Sequence, residues 1–124
     1  MIDFKNPTYV KLKEMKLGDA EGAVGEMLID GESVQSAFMG IRDKVVFTNK
    51  RLIAINVQGL TGKKVDYTSL PYSAIQAFSV ETAGTFDRDT ELELWFSGLG
   101  KVRLEFNAAF DVRAFNKFLG GYVL

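Results

Sequence analysis

The sequence predicts a mainly β domain: about seven antiparallel strands bent into a sandwich or partial barrel, capped by a C-terminal helix and preceded by a short N-terminal one. Three observations lead there. In TELELWF, residues 90–96, Leu92, Leu94 and Phe96 alternate with Glu91, Glu93 and Trp95; in KVRLEF, residues 101–106, Val102, Leu104 and Phe106 alternate with Lys101, Arg103 and Glu105. Such a period of two marks strands with one buried face. Short turn-forming links, SGLG at 97–100 being the clearest, favour hairpins over the long crossovers of a parallel sheet. At both ends of the chain the apolar spacing becomes helical.

Residues 1–17 carry the weakest pattern, although Asn6-Pro7 offers a cap and first turn for a short helix. From residue 18, Ala20, Ala23, Val24, Met27 and Leu28 share one helical face, with Asp19 as N-cap and Gly31 as terminator. Gly22 and Gly25 weaken this helix by about 1 kcal/mol each relative to Ala, so it depends on packing. Strands are expected at 34–39, 44–49 and 51–57. After the GLTG loop at 59–62 another starts at Lys63, is interrupted at Pro71, and is followed by one at 75–82. Asp111 then caps a helix with Val112, Phe115, Phe118 and Leu119 along one side. Gly120 is its stop, and Lys117 lies in the last turn, where the helix dipole favours a cation.

In VVFTNKRLIAI, residues 45–55, a two-residue turn at Asn49-Lys50 requires partners whose numbers sum to 99. Phe47 then faces Leu52, Val46 faces Ile53 and Val45 faces Ala54, so both flanks belong to the interior and only the tip is wet. Asn49 suits the turn through its tolerance of positive φ. Arg51, beside Thr48, is placed to pair with a carboxylate such as Glu81.

A chain of 124 residues and 13.8 kDa is one domain's worth, able to bury a single core. Fifteen Lys and Arg against sixteen Asp and Glu lack the basic excess of a nucleic-acid binder. The absence of His and Cys removes thiol nucleophiles, Ser-His triads, disulfides and the usual zinc or haem sites, so no enzyme activity and no cofactor is expected. Charges interrupt the N-terminal apolar residues, unlike a signal peptide, and no apolar run approaches the roughly 20 residues of a membrane span. The expected location is the cytoplasm.

An antiparallel meander that hides its faces by bending and covers one open end with a C-terminal helix has the architecture of the pleckstrin-homology superfold, an element order that other small barrels with a capping helix share. The residues add a resemblance. GES (31–33), IRDKVVFTNKRLIAINVQGLTGKKVDYTSLPYSAI (41–75), FSVETAG (78–84) and FDRDTELELWFSG (86–98) together resemble the bacterial pleckstrin-homology domains, and FTNKRLI is more distantly similar to GRAM domains. The resemblance spans roughly residues 28–120 and divides the chain into a helical extension, 1–27, and a domain, 28–124. It implies a non-catalytic binding or scaffold module that acts through protein contacts and tends to assemble into homo-oligomeric rings.

Arg42, Lys44, Lys50, Arg51, Lys63 and Lys64 are the candidate ligand-binding residues, forming a basic rim for an anionic ligand or membrane surface if they converge. Against an inositol-lipid pocket, GIRDK at 40–44 is short and sets Asp43 between its two cations. Asp87, Asp89, Glu91 and Glu93 invite an acid–base or calcium reading, but the alternation of Glu91 and Glu93 with leucines fits a solvated strand face, and FDRDTE lacks the ligand spacing of an EF-hand loop. Trp95 shares that face. It is either an interface residue or covered by the N-terminal helix.

Overall fold

The computed structural model describes residues 1–5, 8–86, 88–107 and 110–124. Among them are eight strands: β1 (Thr8–Glu14), β2 (Val34–Met39), β3 (Asp43–Thr48), β4 (Arg51–Gln58), β5 (Lys64–Pro71), β6 (Ile75–Glu81), β7 (Thr90–Phe96) and β8 (Gly100–Phe106). Helix α1 (Leu17–Val24) lies between β1 and β2, and α2 (Val112–Val123) follows β8. The strands form one sheet in the order β5-β4-β3-β2-β1-β8-β7-β6. It curls into a half-barrel, so that β2 to β5, β7, β8 and α2 all contribute to one main core.

The hairpin register follows the sum of 99, from Asp43 opposite Asn56 to Phe47 opposite Leu52. Its two apolar faces have separate destinations. Val45, Phe47, Leu52 and Ala54 point into the main core. Val46, Ile53 and Ile55 lie on the outer face, where Ala20 and Val24 of α1 cover them together with Val34 and Ala37. A helix weakened by Gly18 and Gly22 thus persists because it completes a second, smaller core. On β7 and β8 only one face is apolar, and Leu92, Leu94, Phe96, Val102, Leu104 and Phe106 are all buried. Helix α2 closes the barrel from inside: Phe115 packs 4.7 Å from Phe47 between ring centroids, and Leu119 is buried beside it. Pro71 ends β5, an edge strand, where its missing N–H breaks no ladder.

Four expectations need correction. Asn6 and Pro7 lie outside the described residues, but Thr8–Glu14 is a strand and not part of a helical extension. It runs parallel to β8 and antiparallel to β2, and so joins the two halves of the sheet. Its alternation is broken by a bulge at Lys11, with φ 55°, which turns Tyr9 and Leu12 inward three residues apart, a spacing that mimics a helix. Asp19 is not the N-cap of α1. Lys16 holds that position without a side-chain bond, and Asp19 sits in the first turn. The helix ends at Val24 and passes into a 3-10 turn, Gly25–Met27, leaving Gly31 (φ 78°) to shape the bend before β2. Finally, Gly120 does not stop α2, because the apolar face runs on: Tyr122 packs on Tyr72, and Val123 packs against the core. Lys117 is therefore in mid-helix. The Asp111 cap is as expected, its Oδ1 accepting the Ala114 N–H at 3.1 Å.

Lys11 adopts a left-handed backbone while its side chain is exposed, a conformation that costs an L-residue about 1 kcal/mol. Lys11→Gly should therefore raise the thermal midpoint by about 3 °C in scanning calorimetry, whereas Lys11→Val should lower it. A lower midpoint for the glycine variant would contradict this account of the bulge.

Candidate functional site

The tip of the β3–β4 hairpin is tied down rather than free. Arg51 donates from Nε to Glu32 Oε2 (2.9 Å) and from Nη2 to Glu32 Oε1 (3.0 Å). The same guanidinium reaches the Met27 carbonyl (2.8 Å) and Ser69 Oγ (2.9 Å). Thr48 Oγ1 donates to Glu32 Oε2 (2.7 Å), and the Ile29 N–H donates to Oε1 (3.1 Å). The Glu32 carboxylate, whose side chain is wholly buried, is thereby satisfied four times. Arg51 does not pair with Glu81, which lies across the barrel opposite Glu91. Its fork is spent on the fold and is unavailable to a ligand.

Asn49 is used differently from its sequence expectation. Neither it nor Lys50 has positive φ. Thr48 Oγ1 instead closes the turn by accepting the N–H groups of Lys50 and Arg51, both at 3.0 Å. The Asn49 amide donates to the Gly31 carbonyl (2.9 Å) and accepts the Ser33 N–H (2.8 Å). GES and FTNKRL, separate in sequence, therefore meet as one clasp. Tyr72, buried beneath it, donates to the Thr48 carbonyl at 2.6 Å. Burial pushes its hydroxyl pKa up, and the nearby Tyr122 and Glu32 push the same way.

The six candidate cations do not form one rim. Lys50 and Arg51 stand at one end of β4. Arg42, Lys44, Lys63 and Lys64 stand at or near the other, where β4 ends at Gln58. At about 3.3 Å per residue along β4, Lys44 opposite Ile55 stands roughly 13 Å from Arg51, and Lys64 opposite Gln58 roughly 23 Å. At the far end Arg42 Nη2 donates to the Gly59 carbonyl (2.7 Å), which fastens the 40–42 loop to the 59–62 loop. Asp43, between the cations, is turned toward Asn56; burial raises its pKa against the opposing pull of Arg42. Two residues missed in the sequence occupy these loops: Ile41 is 85% exposed and Leu60 105%. The signal was legible as lone aliphatics between turn residues, but only the Arg42 bond shows that their loops adjoin.

The acidic strand face is laced with cross-strand pairs. Glu91 bonds Arg103, and Glu93 lies 3.7 Å from Lys101. Glu105 is pushed above the usual carboxylate range, first by burial and then by a hydrogen bond with Asp89. Asp87 lies outside the described residues. Among those described, no group of three or more His, Cys, Asp or Glu could hold a metal ion. Trp95 is 46% exposed on the outer face of β7, between Ala77 of β6 and Lys101 of β8. It is not covered by α1, which packs over β2 to β4. With Phe78, Ser79 and Glu93 it lines a shallow depression of about 260 Å³. Beyond it β6 is a sheet edge, pairing only with β7 among the described residues.

A family model described as Bacterial PH domain matches residues 3–123. The chain is similar to a DUF1696 family protein with a pleckstrin-homology domain from Shewanella loihica. The two are 44% identical with a TM-score of 0.81, and the match covers 94% of this chain and 100% of the other. It is also similar to a pleckstrin homology domain from Shewanella amazonensis, at 47% identity and TM-score 0.68, over 89% of this chain and 90% of the other. Among curated proteins it is 53% identical to the uncharacterized protein YjqA of Bacillus subtilis, over 60% of this chain and 60% of that protein. The matched stretch thus falls short of two thirds of that relative's length.

Burial opposes ionisation of Glu32, but hydrogen bonds from Arg51, Thr48 and the Ile29 N–H outweigh it and hold the carboxyl below its ordinary 4.5. A depressed folded-state pKa stabilises the protein above the unfolded value, and that stability is lost as the pH falls through the folded one. At neutral pH Glu32→Gln should cost about 3 kcal/mol in urea unfolding. The gap to wild type should narrow as the pH drops below 4.5. A gap independent of pH would contradict the assignment.

Proposed function

The chain belongs to the bacterial pleckstrin-homology family, and from that premise we propose that it is a non-catalytic binding module that acts by pairing with further copies of itself. The observation that supports this most is the edge at β6. It carries neither Lys nor Pro to block the addition of another strand, and the exposed Trp95 stands one strand in on the same side of the barrel. An edge-to-surface contact of this kind joins unlike patches, so it closes into a ring when the rotation between copies divides a full turn. Light scattering after gel filtration tests the reading. At tens of micromolar the wild type should run as several chains, and Trp95→Glu should shift the mass toward one. A wild type of single-chain mass would overturn it.

A second reading rests on the far end of the sheet. Ile41 and Leu60 are exposed on the two loops that the Arg42–Gly59 bond joins, which also carry or adjoin Arg42, Lys44, Lys63 and Lys64. Aliphatic tips within a basic collar suit the surface of an anionic membrane, where each cation contributes about 1 kcal/mol. Co-sedimentation with phosphatidylserine-rich vesicles should fall at least about tenfold when Lys63 and Lys64 are both changed to Glu, and should be insensitive to Lys50→Glu. Equal sensitivity at both ends of β4 would remove this reading.

A further inference from the structure

A cavity of about 410 Å³, separate from the β6 edge and from the basic loops, opens between the end of β1, the start of β2 and the first turns of α2. Its volume lies within the range of about 300–1,000 Å³ usual for small-molecule sites. One wall is aromatic. Phe110, Phe115 and Phe118 follow one another with centroids 5.4 and 5.2 Å apart. Phe110 is held in place by stacking on Phe106 at 4.1 Å and meeting Phe38 edge-on at 5.0 Å. The rim supplies two carboxylates, Glu14 and Asp111, and among the described residues no Lys or Arg lines the space. Asp111 uses Oδ1 to cap α2, and its full charge exceeds the half charge at the helix start, so the rim retains a negative surplus. Ser36 lines the space through other atoms, since its hydroxyl oxygen is shielded from solvent and so from a ligand there.

We propose that this cavity binds a protonated primary amine carried on a short apolar arm. The phenylalanine rings take the apolar arm, and Glu14 and Asp111 at the rim supply the charge opposite the ammonium. A neutral ligand of the same shape leaves the carboxylates unanswered, and an anion is repelled by them. The site makes no use of the β6 edge, so it stands or falls independently of self-association.

Titration with 2-phenylethylammonium, followed by amide chemical shifts of the whole chain, tests the proposal. Saturable shifts are expected at Ser36 and along 110–115, with a dissociation constant on the order of 1 mM. The neutral 2-phenylethanol should bind at least about tenfold more weakly. Glu14→Gln combined with Asp111→Asn should weaken the amine by a similar factor and keep the fold, because Asn is as good an N-cap as Asp. No saturable shift, equal binding of the alcohol, or undiminished binding by the double variant would each overturn it.

Discussion

A single buried ion pair fixes the half of the barrel built from β2 to β5. Glu32 is sealed from water and Arg51 is partly buried, and taking such charges out of solvent costs several kcal/mol unless their lone pairs and protons are answered. Here four donors answer the carboxylate, and four of the five guanidinium N–H groups find acceptors. The carboxylate receives Arg51, Thr48 and the Ile29 N–H, while the guanidinium also reaches Met27 and Ser69. One pair thereby ties the exit from α1, the bend before β2, the β3–β4 tip and strand β5. An apolar substitute could fill the same space, but it would not choose among registers of the hairpin. The directional bonds of the pair do, since a shift by one residue would turn Arg51 to the other face.

This constraint explains why the most recognisable residues of the chain are poor candidates for ligand contact. Thr48, Asn49 and Arg51 are consumed in holding GES against FTNKRL, and only Lys50 stays exposed at that tip. The groups that the fold leaves unspent lie elsewhere: the β6 edge with Trp95, the joined loops carrying Ile41 and Leu60, and the aromatic cavity at the start of α2. Each lies outside the clasp, so substitution at any of them should leave the framework intact.

Much of the fold was legible because it follows from local periodicity. The alternation in β7 and β8, the hairpin register and the Asp111 cap all obey rules acting over a few residues. What escaped depends on contacts distant in the chain. Strand β1 was hidden because the bulge at Lys11 gives Tyr9 and Leu12 a helical spacing, and because its neighbour β8 lies about ninety residues away. Arg51 was assigned the wrong carboxylate for a similar reason, since nothing local distinguishes Glu32 from Glu81. The scatter of the six cations along β4 follows directly from the hairpin register, but the joining of the loops that carry Ile41 and Leu60 needs the Arg42–Gly59 bond. For Trp95 the sequence showed which face it occupies, and the structure showed that α1 covers a different part of the sheet.

A double-mutant cycle across the clasp tests this account most directly. Denaturant unfolding of wild type, Glu32→Ala, Arg51→Ala and the double variant at neutral pH yields their coupling free of each residue's separate losses. A coupling of about 2 kcal/mol is expected, with each single variant nearly as unstable as the double. A coupling near zero would mean that Glu32 and Arg51 are held by their surroundings rather than by each other, and would contradict it.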